Sequence, residues 1–263
     1  MIAEHQKIIH QVKSKKVPFL TGYFVGGDPT PNETVQYIKE AVKSGIDAVE
    51  IGIPSPNPFM EGDVIKRCHA RTYPHFREVE QIRAFLKTLR NEVPAPIWIM
   101  GYYTDIIASG LYNKLVGDNL IDGLIIPDLP LQEMFQLRQK LQKQNVSVIP
   151  VINNTMSNGD LKLAIAEADI IYCQLYQGKT GSATPDFSGL PLFYNKIRTL
   201  TDAVLMGGFG VKNLQLAKEV IESGFEGVVV GSEIVRIIED QNMQHLSEFI
   251  KELAKVKILH EEE

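Results

Sequence analysis

Short apolar runs alternate with amphipathic stretches along almost the whole chain. The first stretch, from Ile2 to about Val12, sets Ile2, Ile8, Ile9 and Val12 on one face at helical spacing and predicts an amphipathic helix. A β-rich run ended by glycines follows at 18–27, and Asp28-Pro29-Thr30-Pro31 caps a helix that runs to about Lys43. The unit then recurs. Apolar runs at 47–53, 96–100, 122–127, 146–152, 169–175, 202–208 and 226–232 each precede a helical stretch. Those stretches fall at 78–90, 103–116, 131–144, 160–168, 190–200 and 211–223, then at a short 233–238 with a terminal helix from about Gln244 to Val256. A long loop rich in proline and asparagine separates the run at 47–53 from its helix. Runs such as 124–127 and 228–231 are continuous rather than alternating in polarity, as strands buried on both faces of a parallel sheet should be.

Eight strand–helix units in 263 residues match a closed barrel better than a doubly wound open sheet, where five or six strands are usual. The expectation is an α/β chain forming a single (β/α)8 TIM barrel over residues 1–263, with an extra N-terminal helix and a frayed tail at 260–263. Two small domains are the fallback, but no linker or low-complexity tract divides the chain.

Composition narrows the partners. A formal net charge of -5 offers no global attraction to polyphosphate, which argues against nucleic acid and anionic membranes and for small molecules or proteins. Cys68 and Cys173 are the only cysteines, too sparse for a disulfide framework or a metal knuckle, so a reducing cytoplasm is expected and no metal. The first sixteen residues lack the apolar core of a signal peptide, and no 18-residue apolar run follows.

In a barrel, chemistry gathers where strands end and the following loops begin. Gly207-Gly208-Phe209-Gly210 follows the seventh run, and Gly231-Ser232 follows the eighth and opens a short helix. Glycines let main chain approach a ligand, and N–H groups at a helix start bind anions, so the pair reads as a phosphate site. Tight turns alone would also explain either loop. Glu50 lies inside an apolar strand, where a charge costs several kcal/mol unless it is paired or working. By parity it shares a face with Ala48 and Gly52, small neighbours that leave room in a barrel mouth. A structural carboxylate tied to main-chain N–H groups is the other reading. The loop after it, 54–63, carries three prolines and two more carboxylates, Glu61 and Asp63, which taken alone read as surface charges.

TGYFVGGDP, DAVEIGIP with its loop ending EGD, IMGYY, IIPDLP, GKTG, GGFGV and VVVGSEIV stand in the order seen in the tryptophan synthase α subunit family, which residues 2 to 255 resemble. The resemblance implies a (β/α)8 barrel that splits indole-3-glycerol phosphate into indole and glyceraldehyde 3-phosphate. It implies no cofactor in this chain, and an α2β2 complex with a β subunit whose pyridoxal phosphate joins the indole to serine. By the same resemblance Glu50 is the acid/base near the indole C3, and Glu61 stands where the family has an aspartate at the indole N–H. Tyr23, Leu124 and Tyr172 match the indole pocket. Gly181, Gly210, Gly231 and Ser232 match phosphate positions, Gly208 and Phe209 complete that loop, and Thr180 matches the threonine that engages the loop carboxylate.

The chain departs from the family at Glu61, one methylene longer; at Asp63, where the family has proline; at Thr104, where it has asparagine; and at Leu175–Lys179, which lack its serine and arginine. Asp63 is expected to raise the carboxyl pKa of Glu61 by like-charge repulsion. Because the departures gather around one carboxylate, a second expectation stands beside the working lyase: a weakly active barrel serving mainly to activate the β subunit.

Overall fold

The computed structural model describes residues 4–175 and 187–258. Nine parallel strands run β1 Phe19–Val25, β2 Ala48–Gly52, β3 Ile97–Met100, β4 Gly123–Ile125, β5 Ser147–Val148, β6 Val151–Asn153, β7 Ile170–Gln174, β8 Val204–Gly208 and β9 Gly227–Val230. Around them lie helices α1 Glu4–Lys15, α2 Pro31–Ser44, α3 Asp63–Thr72, α4 Val79–Glu92, α5 Leu111–Gly117 and α6 Leu131–Gln142. The ring is completed by α7 Asn158–Ile165, α8 Leu190–Arg198, α9 Leu214–Glu222, α10 Ser232–Glu239 and α11 Met243–Ala254.

The hydrogen-bonded order is β5-β4-β3-β2-β1-β9-β8-β7-β6. Nine strands rather than eight result because Pro150, which has no N–H, splits the fifth apolar run into β5 and β6. The circuit still closes through that run: Ile149 N–H donates to the Leu124 carbonyl at 2.9 Å, and Tyr172 N–H donates to the Pro150 carbonyl at 2.9 Å. The fold is the TIM barrel.

Strand parity sorts the core into two layers. Phe19, Tyr23, Trp98, Met100, Ile125 and Tyr172 belong to a cluster inside the barrel, with Ile8 and Val12 of α1 joined to it, so the extra helix packs its apolar face onto the barrel core. Leu20, Phe24, Val49, Ile51, Ile97 and Leu124 belong to the outer cluster between strands and helices. Register agrees: inward Trp98 pairs with Gly123, so Leu124, one residue on, faces the helices.

Three local elements differ from the expectation. A helix, α3, occupies part of the expected loop between 53 and 78. The stretch at 103–116 is two pieces, a π turn at Thr104–Ala108 and α5, divided at Gly110, whose φ of 73° ends the first. The first helix begins no later than Glu4, and Ile2 lies outside the described residues.

Candidate active site

Glu50 is fully buried in β2, with Tyr23 and Trp98 beside it in register on β1 and β3. Neither of its carboxyl oxygens has a hydrogen-bond partner among the described residues. A structural carboxylate tied to main-chain N–H groups is therefore not what the strand holds. Burial, with the nearby Glu61 charge adding to it, pushes its pKa up to about 8, so the group holds a proton at neutrality and can release it within reach of ordinary pH.

The loop that carries Glu61 is folded on itself and pinned from outside. Ser55 Oγ accepts from Asn57 N–H at 3.1 Å, and Met60 N–H donates to the Tyr102 hydroxyl at 3.3 Å. The Phe59 ring lies 4.6 Å from that of Tyr102. These bonds turn Glu61 inward, where it is 8% exposed and borders two adjoining cavities. Asp63 lies elsewhere. It is exposed in the first turn of α3, near the cationic Arg67 one turn on, and a negative charge there complements the helix dipole.

The first cavity has about 410 Å3 of empty space and is bordered by Glu50, Glu61, Tyr23, Tyr172, Phe209 and Gly210, among others. Its far wall is main chain. Phe209 and Gly210 adopt φ of 68° and 113°, and Gly231 precedes α10, whose first turn receives no side-chain cap. Gly231 and Ser232 border the cavity there, and among the described residues no Lys, Arg or His does. Uncapped N–H groups at a helix start, with a glycine loop opposite, form an anion cradle that needs no cation. Gly208 lies under Tyr172, whose hydroxyl would come within 2.5 Å of a Cβ there, and the Tyr172 and Phe209 rings are 5.5 Å apart.

The second cavity, with about 600 Å3 of empty space, continues from the first past Tyr23, Glu61 and Met100 to Tyr102 and His69. His69 is buried on α3. Its Nδ1 accepts the Ser55 N–H at 3.0 Å, and its Nε2 lies 3.4 Å from the Tyr23 hydroxyl. Burial holds its pKa down to about 4, so the ring is neutral.

A strap of charges joins the two walls. Arg71 of α3 donates through Nε and Nη2 to the two oxygens of buried Asp28, each at 2.8 Å, and through Nη1 to Glu239 at 2.9 Å. Arg67 adds a bond to Glu239 at 3.0 Å, and the Cys68 thiol donates to Asp28 at 2.9 Å. The end of α10 is thereby tied to α3, the helix that leaves the Glu61 loop.

Of the residues singled out in the sequence, Glu50, Glu61, Tyr23, Tyr172, Phe209, Gly210, Gly231 and Ser232 border one cavity. Leu124 does not: its side chain is in the outer layer, and the inward residues of β4 are Gly123 and Ile125. Thr180 and Gly181 lie outside the described residues. Sequence reasoning missed His69, Met100 and Tyr102. For His69 the signal was present, since Ile65, Cys68, His69 and Thr72 recur at helical spacing and are all buried. Among the described residues no group of acidic, His and Cys side chains is arranged to hold a metal, and no helix is long and apolar enough to cross a membrane.

The family profile described as "Tryptophan synthase alpha chain" matches residues 9–262. A tryptophan synthase alpha chain of Aquifex aeolicus (strain VF5) is 31% identical over 250 residues, which cover 93% of this chain and 95% of that one. A solved structure from Aquifex aeolicus VF5 superposes with a TM-score of 0.84 at 29% identity, covering 95% of this chain and 97% of its own. A structure of the α2β2 tryptophan synthase complex of Pyrococcus furiosus, described as mutually activating, contains a chain with a TM-score of 0.78 at 22% identity, covering 91% of this chain and 99% of that one. That last likeness speaks to fold alone.

Proposed function

This chain belongs to the tryptophan synthase alpha chain family, and from that premise we propose that it cleaves indole-3-glycerol phosphate to indole and glyceraldehyde 3-phosphate. The observation that carries the reading is the Glu50 carboxyl, buried and without a partner, in the same cavity as Glu61 and the amide-lined loops.

The phosphate lies against the N–H groups around Gly210, Gly231 and Ser232. The indole ring fills the space between Tyr23, Tyr172, Phe209 and Met100. Glu61 accepts from the ring N–H and stabilises the positive charge that develops there when C3 takes up a proton. Glu50 takes the proton of the glycerol hydroxyl next to C3 and supplies one to C3. The O–H electron pair becomes the aldehyde C=O bond, the C–C bond breaks, and its electrons restore the aromatic indole. No proton or electron is left over. Burial suits Glu50 to this exchange, because a carboxyl with a pKa of about 8 both gives and takes protons near neutrality.

Indole then passes to a β subunit, whose pyridoxal phosphate joins it to serine. Exposed Phe59 and Met60 on the Glu61 loop and Phe135 early in α6 support docking through the barrel mouth, using loop 54–63, Tyr103 with Thr104, and 128–132. The longer Glu61 side chain is proposed to slow ring activation without affecting this docking, because it displaces its carboxylate by up to roughly 1.5 Å. The test is indole release from saturating indole-3-glycerol phosphate, by the chain alone and with its β subunit. Release that the β subunit enhances is expected, and no release under either condition overturns the reading.

A further inference from the structure

The Tyr23 phenol is held in a way that a ring serving only as an apolar wall does not need. Two bonds fix its polarity. Ser55 N–H can only donate, so His69 Nδ1 must present a lone pair to it at 3.0 Å. In a neutral imidazole the hydrogen is then on Nε2, which lies 3.4 Å from Tyr23 Oη, so His69 donates and the phenol oxygen accepts. The phenol's own hydrogen is left to point elsewhere. It is not spent on Glu50, whose oxygens receive no hydrogen bond, although Glu50 is the register neighbour of Tyr23.

Packing gives the hydroxyl its place. A Cβ on Gly52 would come within 2.3 Å of Tyr23 Oη, so the strand leaves the hydroxyl its place by having no side chain there. Tyr23 borders both cavities, sharing the first with Glu50 and Glu61 and the second with Glu61. Burial and the charges of Glu61 and Glu50 keep its hydroxyl protonated far above neutrality, so it remains a donor throughout the working range.

Resting on the lyase reading, we propose that Tyr23 donates a hydrogen bond to the substrate hydroxyl oxygen whose proton Glu50 removes, and that His69 is the positioning residue that aims it. As that O–H bond yields its electrons to the new C=O bond, negative charge passes through the oxygen, and a donor set in advance lowers the barrier. Tyr23 transfers no proton, so the balance of the cleavage is unchanged. His69 touches no reacting atom, but it fixes the phenol and, through Ser55, the start of the Glu61 loop.

The experiment measures steady-state indole release by the complex of this chain with its β subunit, for the parent, Y23F, H69Q, H69N and Y23F/H69N. Y23F should lower kcat about 10- to 100-fold with KM little changed, because ring and pocket remain while one donor is lost. Gln sets an N–H2 where Nε2 stood, so H69Q should stay within about threefold of the parent. Asn sets its amide only where Nδ1 stood and leaves the phenol unaimed, so H69N should fall with Y23F, and the double variant should fall no further. A titration with glycerol 3-phosphate checks that each variant is folded, and should one not be, Y23F and H69Q decide. Y23F at the parental kcat, H69Q falling as far as Y23F, or single losses that multiply in the double variant would overturn the inference. A parent that releases no indole overturns the lyase reading beneath it, whereas a parent that does so with Y23F unaffected overturns the inference alone.

Discussion

The two ends of the cavity are made of different material. At the end bounded by Gly210, Gly231 and Ser232 the chain offers main-chain N–H groups, aimed by positive φ angles and a helix start, with no cationic side chain among the described residues. At the other end stand two carboxyls, one of them fully buried with no partner. The first kind of site depends on conformation and is indifferent to most changes of side chain. The second depends on charge and on distances of about an ångström, and strand and loop packing must hold it against a desolvation cost. Of the departures that the resemblance marks, Glu61 falls at the side-chain end and Asp63 outside the cavity on α3, whereas the glycines at 208, 210 and 231 are ones the resemblance matches.

The contrast is broken most severely by Glu50→Gln. Indole release should fall by about 10^2- to 10^4-fold while glycerol phosphate binds nearly as before, because the isostere removes only proton transfer. Stability should move the opposite way. A carboxyl with a folded pKa raised from 4.5 to about 8 contributes fully below its unfolded value and loses that contribution as pH rises to about 8, so the variant should melt higher than the parent at pH 9. A parental cleavage rate, or loss of the ligand, would remove Glu50 from the chemistry.

Gly210→Val attacks the other end. A β-branched residue resists a φ of 113°, so the loop should leave its cradle geometry and bind glycerol phosphate about 10- to 100-fold more weakly in a titration, with the fold retained. Equal affinity would show that the amides do not hold the anion.

A gentler change sharpens the contrast. Glu61→Asp, combined with Asp63→Pro, should raise indole release by roughly three- to tenfold while β-subunit activation stays the same. The Asp63 replacement should add little, since its side chain is outside on α3 rather than in the cavity. Unchanged turnover would mean that the longer carboxylate already reaches its place.

The smallest effect concerns acid. His69 has a folded pKa near 4, below its unfolded value of 6.5, so the unfolded chain takes up the proton first and stability should decline as pH falls from about 6.5 to 4. His69→Gln should flatten that limb in a series of denaturant melts. An unaltered limb would mean that the ring takes up its proton without unfolding.

The fold was legible in the sequence because it rests on periodicity, and much of the site through one buried glutamate, two glycine loops and the family resemblance. Continuous apolar runs told of buried parallel strands, and a lone glutamate inside one of them told of a site. What escaped has a physical reason in each case. The run at 122–127 is continuously apolar from Leu124 to Ile126, so polarity could not say which of these side chains faces inward; the resemblance set Leu124 in the indole pocket, whereas its side chain lies in the outer layer. Helix α3 has a buried face built of Cys68, His69 and Thr72 rather than leucines, so its spacing was present without the hydrophobic contrast that makes spacing visible. His69 was missed with it. Pro150 was visible as a breaker, but it divided a strand without opening the barrel because the residues beside it bond to different neighbours.

The strap from Asp28 through Arg71 to Glu239 sets a length. One of its ends belongs to the loop after β1, the other to the helix whose uncapped first turn borders the cavity, and between them runs the helix that leaves the Glu61 loop. With these three tied, the span from anion cradle to carboxyls is that of a caliper locked at one opening. A molecule touches both jaws only if the chain between its phosphate and its ring has the right number of atoms. In the proposed lyase, the reach between phosphate and ring is then set in part by side chains that line neither cavity.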